Sequence, residues 1–245
     1  MKRIDEKLHG IILKQFTDKS LNILELCPGK GNLTRALLDS GYRNIEALDI
    51  NPEKFQLPEV ICHRGNLNDP LPFAEESYDL VIIEEGIEHL EYQYRFAAEC
   101  NRILKTGGSL ILTTPNIMNF ASRIKFLLTG FYALAGRPSS EFEKNWVIEH
   151  IYPLTFWQLR HILHTNGLFI SMVATDHIRR SALIGLLVWP LSYFFTWRAL
   201  ATETEPRQLA ANREITRQIH SMSLFLGRTQ IVLATKKPHD YVKAV

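Results

Sequence analysis

The chain has 245 residues, of which 46% are hydrophobic and 22% charged. This composition is typical of folded globular proteins and excludes a disordered chain. The formal net charge of +2 lacks the strong basic excess of proteins that bind a phosphate backbone, so nucleic acid is not an expected partner. The length suits a single domain over residues 1–245, with insertions.

The three cysteines, Cys27, Cys62 and Cys100, are widely separated and include no C-x-x-C pair. They predict neither a disulfide framework nor a thiolate zinc site, and they favour a reducing, cytoplasmic compartment. The first 16 residues mix acids and bases around a short apolar patch, which is not the pattern of a secretory signal.

Short apolar runs alternate with helical patterns along most of the chain. This alternation predicts an α/β architecture, in which helices cover both faces of a mostly parallel sheet. The first run ends in a glycine-rich turn, and residues 33–38 then begin a helical pattern. Seven strands are predicted, at residues 22–27, 45–49, 60–63, 78–83, 109–114, 168–173 and 230–235.

Two stretches exceed this pattern and are predicted to be insertions: residues 117–149, before the sixth strand, and residues 176–227, after it. The first contains a basic and apolar segment at residues 120–136, which suits either an amphipathic lid or a helix packed on the sheet edge.

The second insertion contains an uncharged run of 17 residues from Ser181 to Trp197, flanked by Arg180 and Arg198. The run is too short for an untilted membrane-spanning helix and is interrupted by Pro190. Its flanking arginines and its aromatic side chains are typical of a segment at a membrane surface, bent into a shallow hairpin by the proline. A helix buried in the core and a homodimer interface are the alternatives.

The segment from Glu25 to Thr34 ends the first strand with an acid and then supplies two glycines. Because Gly29 and Gly31 have no side chains, a ligand can approach the backbone closely there. A second acid, Asp49, closes the second strand, where a carboxylate can accept hydrogen bonds from two ribose hydroxyls. Glycine turns also occur without ligands, but the combination with Asp49 indicates a nucleotide-type cofactor.

These residues resemble the class I S-adenosylmethionine (SAM)-dependent methyltransferases, whose first motif is an acid followed by G-x-G-x-G and whose second strand ends in an acid. The resemblance covers about residues 20–116, 150–175 and 228–237. It implies a Rossmann-like α/β fold. It also implies that Glu25, Gly29 and Gly31 hold the methionine part of SAM and that Asp49 holds the ribose.

The same resemblance extends to the residues after the third strand. Asn66 stands where the family often has an aspartate at the adenine amino group, and Leu67 would flank the ring. One departure is that Cys27 and Pro28 occupy the start of the loop, where a glycine is usual, and Pro28 has no N–H to donate. An NAD-binding fold is the competing interpretation, but its fingerprint needs glycine or alanine where this chain has Thr34.

A candidate metal site follows the fourth strand, at Glu85, Glu88 and His89. If this turn enters an α-helix, the three side chains share one face. Carboxylate oxygens with one or two nitrogens suit Mg²⁺ or Mn²⁺. The alternative is a helix start beside the cofactor, in which an acid simply favours the helix dipole.

The order E-x-x-E-H, then T-P-N at residues 114–116, then His150 is similar to the small-RNA 2′-O-methyltransferases. E-x-x-E-H also resembles the ubiquinone-biosynthesis O-methyltransferases. The resemblance implies that Glu85, Glu88, His89 and His150 bind a divalent cation. The alternative is that His89 and His150 form a metal-free acid–base pair that takes the proton from an acceptor hydroxyl.

Together these features predict a SAM-dependent O-methyltransferase for a membrane-associated small molecule, such as a lipid-linked saccharide or an isoprenoid compound. We expect it to be cytoplasmic and peripheral at the inner face of the membrane, with residues 181–197 touching lipid. Trp146, Phe156 and Trp157 suit either the core or a substrate pocket. Two other functions remain open: RNA 2′-O-methylation, and a catalytically silent subunit with a SAM fold in a membrane complex, suggested by Cys27 and Pro28.

Overall fold

The computed structural model describes residues 3–132 and 152–238. Its centre is a seven-stranded sheet in the order β3-β2-β1-β4-β5-β7-β6, in which β7 is antiparallel to both neighbours and the other pairs are parallel. The predicted mostly parallel seven-stranded sheet is therefore confirmed. The strands are β1 Ile23–Leu26, β2 Ile45–Asp49, β3 Cys62–Arg64, β4 Tyr78–Glu84, β5 Leu104–Pro115, β6 Leu168–Ala174 and β7 Thr229–Lys236.

Helices cover both faces of the sheet. The α-helices of the described residues are α1 Arg3–Gln15, α2 Asn32–Asp39, α3 Gln93–Ile103, α4 Phe120–Thr129, α5 Phe156–Thr165, α6 Trp189–Leu200, α7 Pro206–Ile219 and α8 Met222–Leu226. Short 3₁₀ helices lie at Pro52–Lys54, Ile87–His89 and Arg180–Leu187.

The core has two layers because successive strand residues point to opposite faces. In β4, Val81 and Ile83 pack with α3 and α5, whereas Leu80 and Ile82 pack with α1 and α2. All four side chains are fully buried. This double burial explains why the strand is a continuous apolar run in the sequence.

The loops that carry the predicted site residues lie at one edge of the sheet. Since β1 to β6 all run in the same direction, their carboxyl ends meet at this edge, and the antiparallel β7 begins there. The glycine loop after β1, the turn after β4 and the residues leading into α4 therefore share this edge. Both predicted insertions also start from it.

The connection between β2 and β3 has no α-helix, only the 3₁₀ turn Pro52–Lys54. The residues after this turn fold back onto the glycine loop, where the Gln56 N–H donates to the Lys30 carbonyl oxygen at 3.3 Å. The following strand begins at Cys62, two residues later than predicted.

The insertion at residues 176–227 has a closed base. Ile178 and Gly227 form an antiparallel bridge, and the Arg228 N–H donates to the His177 carbonyl oxygen at 3.2 Å. The break in the uncharged run comes two residues before the predicted bend at Pro190. The run instead divides at Val188 into the 3₁₀ helix and α6, and the proline lies in the first turn of α6, where a helix needs no N–H donor.

The described part of the first predicted insertion is helix α4, which ends at a left-handed Gly130. Residues 133–151 lie outside the described residues. Among the helices that are described, none is both long enough and apolar enough to cross a membrane.

Candidate functional site

The loop between β1 and α2 places two glycines for different reasons. Gly31 has φ +85°, and a Cβ on it would approach Phe55 Cε2 to 2.7 Å and Leu57 to 3.0 Å. Gly29 has φ +56°, and a Cβ there would meet nothing within 4 Å. Close packing therefore requires glycine at position 31, whereas the backbone at position 29 faces open space that a ligand can approach.

The unusual residue at the start of this loop has a glycine-like conformation. Cys27 has φ +56°, a region that side chains with a Cβ rarely adopt. Burial, followed by the nearby Asp49 carboxylate, raises the pKa of its thiol to about 12. A thiol with so high a pKa stays protonated at neutral pH.

Glu25 lies at the end of β1 and is almost fully buried. The Thr34 hydroxyl of α2 donates to its Oε2 at 2.5 Å. Burial raises the pKa of Glu25 to about 7 despite this hydrogen bond, and the nearby Asp5 of α1 adds to the effect. The carboxyl group is thus poised to change its charge when a cation binds beside it.

A cavity of about 390 Å³ opens at the glycine loop. Carboxyl groups dominate its charged lining, with four acids and one lysine, which favours a cationic ligand. The lining residues are Asp5, Glu25, Cys27, Pro28, Gly29, Lys30, Asn32, Leu33, Glu84 and Glu85.

Sequence reasoning missed some of this lining, notably Asp5 and Glu84. Asp5 is buried next to Ile4, on the apolar face that α1 presents to the core. An acid beside the apolar stripe of an amphipathic helix is the signal that would have pointed to it. Glu84 is the last residue of β4. In the sequence it indicates only the end of a buried strand.

The other predicted cofactor residues lie along the same sheet edge but outside this cavity lining. Asp49 is the last residue of β2, and its Oδ1 accepts from the Asn51 N–H at 2.8 Å. Asn66 follows β3 and accepts from the Asn68 N–H at 3.0 Å, and Leu67 is buried. From β1 to β3, the edge therefore presents Glu25, Asp49 and Asn66 in succession.

The turn after β4 differs from the predicted helix start. Glu85 has φ +46°, and residues 87–89 form a 3₁₀ turn, so the predicted α-helical face of Glu85, Glu88 and His89 is wrong. Burial raises the pKa of the fully buried Glu88 to about 7.

The residues that the structure describes give the predicted divalent cation no support. Within residues 3–132 and 152–238, no three His, Cys, Asp or Glu side chains are grouped so as to hold a metal ion. His150, the fourth predicted ligand, lies outside the described residues.

The T-P-N sequence that accompanied the metal prediction has a structural role. Asn116 is fully buried, and its Nδ2 donates to the carbonyl oxygens of Leu224 at 2.8 Å and Gly227 at 2.9 Å. This amide therefore ties the end of β5 to α8 and to the base of the second insertion.

A second and larger cavity, of about 780 Å³, lies between α5, α6 and α7 and shares no lining residue with the first. Its apolar lining includes Trp157, Phe195 and Ile215, and Arg160 at its wall is paired with Glu214 at 2.7 Å. Three aromatic residues were left with open roles. Trp157 lines this cavity, Phe156 lies in the core, and Trp146 lies outside the described residues.

The comparisons with known proteins agree with this geometry. Residues 24–112 match the family described as "Methyltransferase domain". A probable SAM-dependent methyltransferase of Mycolicibacterium smegmatis is 41% identical over 119 residues, 46% of this chain and 46% of that protein. The human mitochondrial ubiquinone biosynthesis O-methyltransferase is 24% identical over 192 residues, 72% of this chain and 46% of that protein.

A SAM-dependent methyltransferase of Archaeoglobus fulgidus shares the fold with a TM-score of 0.57, covering 95% of this chain and 94% of that one at 16% identity. The chain is therefore similar to SAM-dependent methyltransferases in the sequence of residues 24–112 and in its fold. It spans about half the length of the two curated relatives named above.

Proposed function

We propose that this protein transfers a methyl group from SAM to a hydroxyl group of an acceptor with a large apolar part. The acid-lined cavity at the glycine loop carries the proposal. SAM is cationic at its sulfonium and ammonium groups, and clustered carboxyl groups favour such a ligand. Lys30 in the same lining can pair with the carboxylate of the methionine part.

The order of polar residues along the sheet edge supports the assignment of roles. Glu25 and the glycine loop hold the methionine part, Asp49 the ribose, and Asn66 with Leu67 the adenine. An extended ligand laid across the carboxyl ends of β1, β2 and β3 meets these residues in that order.

The acceptor class is supported by the larger cavity. Its lining is mainly apolar, and helix α5 on one of its walls begins close to the turn after β4. The Tyr152 N–H donates to the Glu88 carbonyl oxygen at 3.2 Å, which fixes the chain just before α5 beside that turn. The similarity to a ubiquinone biosynthesis O-methyltransferase agrees with an apolar acceptor and with transfer to oxygen.

SAM supplies an electrophilic methyl group, so the protein mainly needs to align the acceptor and remove its proton. His89 lies in the turn after β4 and is partly exposed, and we assign it as the group that takes the proton. We derive no step through a metal, because Glu85, Glu88 and His89 are not grouped as ligands.

The cofactor assignment is tested by Asp49→Ala, which removes a carboxylate that accepts two ribose hydrogen bonds. We expect a loss of about 2–4 kcal/mol in SAM binding, measured by calorimetry. Asp39→Ala, at an exposed acid in the last turn of α2, is the matched control and should leave the affinity unchanged. Equal affinities for the two folded variants would refute the ribose assignment.

The reaction is tested by following label from methyl-labelled SAM into extracted lipids and glycolipids, with bulk RNA as the competing acceptor. Label in a lipid, retained in excess chelator and lost in His89→Ala, is the expected result. Label in RNA would contradict the apolar acceptor. A wild-type protein that does not bind SAM would overturn the proposal.

A further inference from the structure

Helix α6 presents its more apolar side to solvent. One side of the helix lies against His220 through Trp189, Ser192 and Tyr193. The Trp189 indole N–H donates to the His220 carbonyl oxygen at 2.8 Å. Ser192 Oγ lies 3.1 Å from the Nε2 atom of His220. The opposite side carries exposed Leu191 and Phe194, and no residue of this helix is buried. A helix facing water has the reverse distribution.

The preceding 3₁₀ helix repeats this arrangement. Ala182 and Gly185 are buried against the body of the protein, whereas Ile184 and Leu187 are 63% and 82% exposed. The exposed side of residues 180–197 is therefore apolar along its length.

The fold adds α4 to the same side. Phe120 lies so close to Gly185 that a Cβ on this glycine would come within 2.6 Å of the ring, and Arg123 Nη1 donates to Ser192 Oγ at 3.1 Å. Leu127 follows these two α4 residues at helical spacing and so continues the contacting face one turn further. It is 78% exposed and lies beside the equally exposed Leu128.

We propose that α4 and residues 180–197 form one docking surface for an anionic lipid bilayer. The apolar members of this docking surface are Leu127, Leu128, Leu183, Ile184, Leu187, Leu191, Phe194 and Trp197. This inference rests on the proposed function. It adds that the protein takes its apolar acceptor from the membrane through the docking surface.

The charges around the docking surface favour an anionic bilayer as its partner. Residues 117–132 and 177–202 contain five arginines and lysines and no acid. Arg179, Arg180 and Arg198 are exposed, and none is ion-paired with a residue that the structure describes. Such a basic rim around exposed apolar side chains matches a bilayer with anionic headgroups.

The same charges oppose a second copy of the chain as the occupant. A twofold contact through this surface would place these unpaired arginines near their own copies, and like charges repel.

The location of the docking surface also favours a bilayer, because α4 follows β5 and residues 180–197 follow β6 at the sheet edge that carries the glycine loop. Docking would hold that edge toward the lipid.

The test is co-sedimentation of the full chain with vesicles of phosphatidylglycerol and phosphatidylcholine, compared with phosphatidylcholine alone. We expect binding to the anionic vesicles that weakens as salt rises. Leu127→Asp/Leu128→Asp and Leu187→Asp/Leu191→Asp should each weaken binding by about tenfold or more, because both pairs would enter the same interface. The matched control is Ile61→Asp, at an apolar side chain 65% exposed on the β2–β3 connection.

Arg179→Gln/Arg180→Gln should weaken binding to anionic vesicles and flatten its salt dependence. Lys7→Gln/Lys14→Gln, an equal charge change at exposed positions of α1, should do neither. Unchanged SAM affinity and circular dichroism identify the variants that remain folded. If the folded Leu127→Asp/Leu128→Asp variant binds vesicles as well as Ile61→Asp does, α4 is not part of the docking surface and the inference is wrong. The inference is also wrong if the wild-type protein is a dimer that the aspartate variants dissociate.

Failure of this inference is distinguishable from failure of the proposed function. A wild-type protein that methylates a detergent-dispersed lipid but does not bind anionic vesicles overturns the docking surface alone. A protein that binds these vesicles but not SAM overturns the proposed function alone.

Discussion

In the proposed SAM site, Glu25 would couple cofactor binding to the release of a proton. Its pKa in the folded protein is about 7, against 4.5 for an ordinary glutamate, because the side chain is buried. Since the folded value is the higher one, the stability that this group contributes is complete below about pH 4.5 and is lost as the pH rises through about 7. At neutral pH the folded protein therefore holds a proton that a bound cation would expel.

We predict that SAM binding at pH 7 releases about half a proton, because the ligand's ammonium group favours the ionised Glu25. Calorimetry in buffers of different ionisation enthalpy measures this release. It should vanish in Glu25→Gln. It should persist in Glu88→Gln, which removes another carboxyl with a raised pKa outside the cavity lining. Equal release from wild type and Glu25→Gln would contradict the coupling.

At the scale of the elements, β5, α8 and the second insertion depend on one amide. Asn116→Ala leaves two buried carbonyl oxygens without their donor, which should lower the free energy of unfolding by about 2–4 kcal/mol. Denaturant unfolding provides the measurement. Asn44→Ala removes an exposed amide that makes one hydrogen bond and should cost less than about 1 kcal/mol. A similar cost for both variants would show that the buried amide is not the link.

The central strands β1 and β4 were predictable because each is a short apolar run buried on both faces. The 3₁₀ turn at residues 87–89 was not, because Glu85 adopts a left-handed conformation that nothing in its residue type indicates. The acids of the sheet edge could be read from the ends of strands. The acid-lined cavity could not, since Asp5 reaches it only through the packing of the distant helix α1.

At the scale of the whole molecule, burial is uneven. The central strands β1 and β4 are almost wholly buried, whereas α6 has no buried residue. We predict that amides of α6 exchange with solvent at least about 100-fold faster than those of β4, because local opening of the helix exposes little new apolar surface. Hydrogen-exchange mass spectrometry measures the difference, with α5 as the helical control. Equal protection of α5 and α6 would contradict this distribution.

The bridge between Ile178 and Gly227 has a consequence for how such a protein can diversify. Because Ile178 and Gly227 are neighbours, residues 179–226 leave and re-enter the fold at the same place, between β6 and β7. Apart from residues 219–227, which pack in the core and bond Asn116, the length and sequence of this segment can change while the strands keep their registers and the glycine loop keeps its shape. Under the proposed function, acceptor range could therefore evolve, or be redesigned, independently of cofactor use.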